Sequence, residues 1–246
     1  IEALERVRNH VDKNLNSNNS AMIFPEAQAQ LEGFVSSDQW DPRRIKIMVV
    51  DVGGGTVDAS IVNVTGNASD GYAYNCLVSE VEKTGIKILH RERIEYLLNL
   101  LSRNAVAAES IKESLEKNLL GSTMSDLYPE TVQEYLSDVE WGGEPTIDTV
   151  FLKSIITQID SKVISKARRF IDTEVTQWTS LQVILCGGGS LHKFYRQLLL
   201  LRGLNPIGMD KPKNLIAPLL IGDKDYHRLS VAYGLSMSDL GRYVSP

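Results

Sequence analysis

The order of apolar and polar positions divides the chain into a strand-rich first part, a helical middle and a strand–helix end. Apolar, largely β-branched residues dominate 45–50, which predicts a buried strand. Similar runs at 59–64 and 72–81 predict two further strands, separated by the turn sequence TGNASDG at 65–71. Because the connections are short, we expect these three strands to form an antiparallel meander.

Helical spacing of apolar residues begins at about residue 86. Stripes at 94–101 and 111–119 predict two helices, and a long helix is predicted over 149–173. Its apolar face consists of Phe151, Ile155, Ile159, Val163, Ala167 and Phe170. The remaining predicted elements are a strand at 181–186, a helix at 191–201, a strand at 214–221, a closing helix at 225–240, and near the start a helix at 2–15, a strand at 21–24 and a helix at 26–34.

Charge and composition exclude several functional classes. A net charge of −5 over 246 residues argues against a general polyanion binder, so no nucleic-acid partner is expected. No apolar run approaches the roughly 20 residues that a membrane helix needs, so no membrane association is expected. Cys76 and Cys186 lie in apolar stretches and are predicted to be free thiols, which favours the cytoplasm. The scattered histidines suggest no metal site.

Two predicted strands run directly into three consecutive glycines. The first unit is VVDVGGGTVD at 49–58 and the second is LQVILCGGGS at 181–190. Glycine lets backbone amides approach a phosphate closely, and consecutive amides form an anion-binding nest. The second turn is expected to open a helix, whose dipole favours phosphate further. The first leads into a strand and is a hairpin-type loop.

One such turn alone would favour a tight β-hairpin, but two, each after a buried strand, favour phosphate binding. Neither is a Walker A loop, because no Gly-Lys-Ser/Thr follows, and neither fits the dinucleotide fingerprint. Asp51 stands at a strand end, where it is expected to hold water on a magnesium ion, which uses few protein carboxylates. Thr56 is expected to hydrogen-bond a terminal phosphate or an attacking water. Asp51 and Thr56 are therefore the catalytic candidates.

In this order and spacing the motifs resemble the actin-like ATPase superfamily, and within it the DnaK-type heat-shock chaperones. VVDVGGGTVDASIV at 49–62 is similar to that family's second phosphate motif, and VILCGGGSLHKFYRQL at 183–198 to its adenosine motif. RLSVAYGLS at 228–236 resembles the closing helix, and IFPEAQAQLEGF at 23–34 the hinge-like segment between two lobes. The helix at 149–173 is similar to the one preceding the adenosine strand, so the resemblance covers nearly the whole chain.

The resemblance implies the fold class and the domain organisation. The fold would be an α/β, ribonuclease H-like ATPase lobe: a mixed sheet with an antiparallel meander, flanked by helices, plus a helical insert subdomain. Residues 1–34 would form the end of a first lobe and the inter-lobe connection. Residues 35–85 and 177–246 would form the nucleotide-binding core, and 86–176 the mainly helical insert.

The resemblance also implies a set of site residues for ATP or ADP with magnesium. Asp51 would lie near the metal and its waters, and Asp58 would support the first turn. The residues facing the β- and γ-phosphates would be Gly53, Gly54, Gly55 and Thr56. Those against the ribose and α-phosphate would be Gly187, Gly188 and Gly189, in the turn that Ser190 completes. Glu113 and Lys117 would contact the ribose and the adenine, with an exposed charged helix face as the alternative for both.

The sequence departs from the family pattern at several points. The first phosphate motif and the lobe with the catalytic lysine would lie before Ile1, and the chain begins inside a helical pattern, so we expect a fragment of a longer protein. Phe24 precedes Pro25 where the chaperones have glutamate, and a glycine pair after the third strand is reduced to Thr84-Gly85. Nucleotide binding is therefore expected, while hydrolysis stays open.

Three other functions fit the same motifs. They are an actin-like filament or plasmid or chromosome segregation protein, a sugar or acetate kinase of the superfamily, and a degenerate member that binds a partner and no nucleotide. Under the chaperone reading, the expected partners are the nucleotide, the missing N-terminal lobe and a protein client or co-chaperone.

Overall fold

The computed structural model describes residues 26–37, 40–67, 69–101, 128–135, 146–170, 181–198, 213–214 and 242–244. In these residues the chain forms an α/β structure, a mixed sheet with helices packed on both faces. The predicted elements at 2–15, 21–24, 111–119 and 225–240 lie outside the described residues, as do Glu113 and Lys117. No helix in the described ranges is long and apolar enough to cross a membrane.

The described elements follow the predicted order. Helix α1 (Glu26–Val35) precedes strands β1 (Lys46–Val52), β2 (Val57–Asn67) and β3 (Gly71–Glu82). Helix α2 (Ile86–Leu101), a short 3-10 turn (Val132–Tyr135) and helices α3 (Ile147–Gln158) and α4 (Ser165–Phe170) form the helical part. Strand β4 (Gln182–Cys186), helix α5 (Lys193–Leu198) and the short strands β5 (Lys213–Asn214) and β6 (Arg242–Val244) follow.

The sheet has the strand order β5-β4-β1-β2-β3-β6. Strand β2 pairs antiparallel with both β1 and β3, which confirms the predicted meander. Strand β4 pairs parallel to β1, with Asp51 opposite Cys186. Since parallel strands end at the same edge of a sheet, the glycines that follow β1 and β4 emerge side by side.

Alternate residues of β1 supply the two halves of the core. Met48, Val50 and Val52 face helices α2 and α3, whereas Ile47 and Val49 face α1. All five side chains are buried, and full burial of an aliphatic side chain stabilises a fold by about 1.5–3 kcal/mol. Strand β1 is thus held from both sides, which fixes the position of the turn that follows it.

The helix predicted over 149–173 is not one continuous α-helix. Between α3 and α4 the chain forms a π-helical turn, Ile159–Ile164, with the Ser165 amide bonded to the Asp160 carbonyl. The predicted apolar face recurs every four residues, which drifts by about 40° per step around an α-helix of 3.6 residues per turn. The wider π turn offsets this drift, and it keeps Ile155, Ile159 and Val163 buried against the sheet.

Candidate functional site

The two glycine turns are packed against each other at one edge of the sheet. A Cβ atom added to Gly187 would lie 2.6 Å from the Val52 carbonyl oxygen and would also overlap the Asp51 carboxylate. A Cβ on Gly189 would lie 2.6 Å from Val52 Cγ1. Only glycine permits this approach. The sequence motifs some 130 residues apart are therefore in direct contact.

The three glycine carbonyls of the first turn accept hydrogen bonds from Gly85 and from the first residues of helix α2. The Gly85 amide donates to Gly55 O at 3.2 Å, and the next two amides of the chain donate to Gly53 O at 3.1 Å and Gly54 O at 2.8 Å. The amide of Gly53 closes the turn on the Thr56 carbonyl at 2.9 Å. The helix N-terminus, which normally leaves amides without partners, is therefore satisfied by the turn itself.

The amides of Gly54 and Gly55 point elsewhere. Both residues are exposed, and neither amide donates a hydrogen bond to any part of the chain that the structure describes. Thr56 beside them is half-buried. Two consecutive exposed amides, with every carbonyl of the loop turned away, make an anion-binding nest. Three predicted phosphate residues, Gly54, Gly55 and Thr56, thus lie at the open side of the turn.

Gly85 fixes this arrangement, although the sequence predicted no role for it beyond a shortened glycine segment. It is buried, and a Cβ there would lie 2.5 Å from the Thr56 amide nitrogen and 2.6 Å from Gly53 O. The neighbouring Thr84 carbonyl accepts a hydrogen bond from the Tyr195 hydroxyl of α5 at 2.6 Å. The segment at 84–85 therefore touches the first glycine turn directly and the second through α5.

Asp51 lies against Gly187 of the second turn, and the pKa of its carboxyl is raised. Burial of its side chain raises this pKa to about 6. The hydrogen bond donated by the Gln30 side chain acts in the opposite direction and lowers the pKa, but burial has the larger effect. The nearby carboxylates of Glu26 and Asp58 raise the pKa further. Gln30 is itself held by the Cys186 thiol, which donates to its Oε1 at 3.2 Å. Gln30 was not predicted, because it lies on α1, 21 residues before Asp51.

A pocket of about 150 Å³ opens between α1 and the sheet at this point. Its polar lining consists of Glu26, Gln30, Asp51, Asp58, Ser60 and Ser79. The predicted role of Asp58 as a support for the turn is not visible as a hydrogen bond, since its buried Oδ1 has no partner within the described residues. The carboxylate faces the pocket instead.

The described residues contain no group of three or more metal-ligating side chains placed to hold an ion. Mg²⁺ in nucleotide sites keeps several waters and uses one or two carboxylates plus phosphate oxygens. One carboxylate, Asp51, beside a cavity large enough for several waters at about 30 Å³ each, fits that mode of binding. The described residues do not fit a metal site in which the protein supplies all of the ligands.

The second turn differs from the prediction. Gly187 has φ +82° and ψ 158°, and a 3-10 turn (Gly188–Leu191) follows it, so the expected α-helix start is displaced to Lys193. His192 is extended and its Nε2 contacts the Pro129 carbonyl at 2.9 Å, which separates the two helical pieces. Ser190 is fully buried and its hydroxyl donates to Gly187 O at 2.7 Å, so this hydroxyl stabilises the turn.

A buried arginine links the helix that follows the first turn to the segment that follows the second. Arg93 on α2 forms a two-point ion pair with Asp148 and donates to the carbonyls of Pro129 and Glu130 at 2.8 and 2.9 Å. Its guanidinium also lies 5.6 Å from the ring centre of Phe194 on α5. Since His192 binds the same Pro129 carbonyl, the helix that holds the first turn and the segment after the second share one anchor.

Comparison with known proteins adds no family assignment. No protein-family model matches this sequence, and no curated protein matches it significantly.

Proposed function

We propose that this chain is the ATP/ADP-binding lobe of an ATPase of the actin superfamily, of the DnaK-like type, with a ribonuclease H-like fold and magnesium as cofactor. The observation that carries the proposal is the contact between the two glycine turns at one sheet edge. One turn presents the free amides of Gly54 and Gly55, and Gly187 of the other turn lies against the carboxylate of Asp51. An anion nest beside a carboxylate suits a metal-bound polyphosphate.

Each residue of such a site would have a separate role. The amides of Gly54 and Gly55 would bind terminal phosphate oxygens, and the Thr56 hydroxyl would orient an attacking water. Asp51 would accept hydrogen bonds from water on magnesium, and Gly187 with Gly189 would let the nucleotide approach the sheet edge. The bound Mg-ATP supplies the γ-phosphoryl group, and catalysis of its transfer to water rests on positioning and electrostatics.

We further propose the cellular setting that accompanies this function. Cys76 and Cys186 are both free thiols, which suits the cytoplasm. The proposed partners are the lobe that closes over the site and a protein client or co-chaperone.

Calorimetry of the full-length protein with Mg-ATP and Mg-ADP tests the proposal. We expect Asp51→Asn to weaken Mg-ATP binding by about tenfold or more, because one charge-assisted contact is worth roughly 1.5–3 kcal/mol. The matched control is Asp70→Asn, an exposed carboxylate in the turn at the opposite end of β2. In EDTA the wild type and Asp51→Asn should bind nucleotide equally, since this aspartate acts through the metal.

Absence of any binding heat for the wild type would overturn the nucleotide proposal. Equal affinities of Asp51→Asn and wild type in magnesium would remove the metal role of Asp51. Pelleting after ATP addition separates the alternatives: nucleotide-dependent filaments would move the assignment to an actin-like filament protein. Binding without phosphate release would identify a non-hydrolysing member.

A further inference from the structure

Lys87 is placed beside the open side of the first glycine turn. Its amide donates to Gly54 O at 2.8 Å, and its side chain runs past the same residue, with Cδ and Cε each 3.6 Å from the position of a Gly54 Cβ. Lys87 is exposed and forms no ion pair with any residue that the structure describes. Its ammonium group, one bond beyond Cε, is therefore free of an ion pair in the described residues and lies close to Gly54.

The position of this charge is unfavourable for the helix. Lys87 lies in the first turn of α2, which contains no acidic residue. The positive end of a helix dipole favours anions, so a lysine there costs stability. The α2 amides that would otherwise attract an anion are already bonded to the glycine carbonyls. The amides of Gly54 and Gly55 and the ammonium of Lys87 thus share one feature, an affinity for negative charge that the described chain leaves unmet.

We infer that Lys87 is a binding residue for the terminal phosphate of a polyphosphate held by the Gly54 and Gly55 amides. The inference rests on the proposed function and adds a residue that lies outside both glycine motifs. The nest supplies oriented donors, and the flexible lysine supplies a full positive charge that follows the phosphate oxygens. Such a cation on the same lobe offsets part of the charge that accumulates when several phosphates are brought to an acidic site.

The test compares four forms of the full-length protein by calorimetry: wild type, Lys87→Met, Lys87→Arg and Lys153→Met. Methionine keeps the methylene packing against Gly54 and removes the charge. Lys153 is the matched control, an exposed helical lysine on α3. The probes are Mg-ATP and tripolyphosphate.

We expect Lys87→Met to weaken binding of both probes by about tenfold, the usual worth of one charged hydrogen bond. Lys87→Arg should restore most of the affinity, and Lys153→Met should match the wild type. The difference between wild type and Lys87→Met should shrink at high salt, because the contact is exposed. The melting temperature of Lys87→Met should be unchanged or raised, since a cation leaves a helix N-terminus.

The outcomes separate this inference from the nucleotide proposal. Normal Mg-ATP affinity of Lys87→Met, with Asp51→Asn weakened, overturns the role of Lys87 and leaves the nucleotide proposal intact. Tripolyphosphate binding that is lost in Lys87→Met, without ATP binding by the wild type, supports the anion site and overturns the nucleotide proposal. Failure of the wild type to bind either probe overturns both.

Discussion

Gly187 and Asp51 are in such close contact that a single methyl group on Gly187 would overlap the Asp51 carboxylate. Gly187 directly follows β4, and Asp51 is the penultimate residue of the neighbouring parallel strand β1. The absence of a side chain at Gly187 is therefore what allows the second turn to lie against the carboxylate near the end of β1. The contact joins the two halves of the proposed nucleotide site.

Gly187→Ala should destabilise the protein by about 3 kcal/mol or more. The backbone there has φ +82° and ψ 158°, a conformation essentially restricted to glycine, and overpacking adds to that strain. The matched control is Gly71→Ala, since Gly71 has a similar φ of +83° but no atom within 4 Å of an added Cβ. It should cost only about 1–2 kcal/mol. Urea unfolding measures both, and equal losses would show that the Asp51 contact is unimportant.

Gly85→Ala should disturb the first turn in the same manner. An added Cβ would lie 2.5 Å from the Thr56 amide and 2.6 Å from Gly53 O, and both of these are backbone atoms that cannot rotate away. We expect a loss of about 1–3 kcal/mol in unfolding free energy and weaker Mg-ATP binding. Gly55→Ala is the control for stability, because nothing lies within 4 Å of its Cβ position. A stable Gly85→Ala protein with wild-type affinity would contradict this account.

The strands and their meander could be predicted because each feature is local. Apolar residues in β1 and β4 mark buried strands, and the glycines after them mark turns. To predict that the two turns lie at the same edge of the sheet, one must also know that β1 and β4 pair in parallel, with Asp51 opposite Cys186. That pairing follows from the motif order only when the family resemblance is accepted.

The partners of the turns could not be predicted, because they depend on contacts between distant segments. The sequence pattern predicts helix α1, but not that Gln30 on this helix bonds to Asp51. It likewise gives no reason for Gly85 to touch Thr56. The π turn at Ile159–Ile164 was missed for a related reason, since a four-residue apolar repeat is compatible with either helix type.

Arg93→Met should be far more costly than Arg91→Met on the same helix. Arg93 is 1% exposed, and its loss leaves Asp148 and the Glu130 carbonyl without their arginine donor, so we expect about 3–5 kcal/mol of destabilisation. Arg91 is exposed and lies 3.9 Å from the Glu92 carboxylate and 3.7 Å from that of Glu95, exposed pairs worth less than about 1 kcal/mol each. Urea unfolding of both variants gives the comparison.

A double-mutant cycle with Asp148→Asn tests whether the cost arises from an unpaired charge. Because the asparagine removes the charge that Arg93→Met leaves unpaired, the double variant should lose less than the sum of the single losses, by about 1–3 kcal/mol. Simple additivity would mean that Arg93 acts through its bonds to the Pro129 and Glu130 carbonyls and its packing on Phe194, and not through Asp148.

Asp51 should make the unfolding free energy depend on pH in the direction opposite to an ordinary paired carboxylate. Burial raises its pKa from 3.8 to about 6, so between these values the folded protein holds a proton that the unfolded chain has lost. Stability therefore falls as pH rises from about 4 to 6, by at most about 3 kcal/mol. Urea unfolding of wild type and Asp51→Asn across this range should show the slope in the wild type and a smaller slope in the variant.

Asp41 provides the control for the sign of this effect. Hydrogen bonds from Arg43 lower the pKa of Asp41 to about 2, so its contribution is present above pH 4 and is lost as pH falls toward 2. Asp41→Asn should therefore leave the slope between pH 4 and 6 unchanged. If Asp51→Asn also leaves it unchanged, Asp51 is ionised throughout this range in the folded protein. The carboxylate would then need no bound magnesium to stay charged.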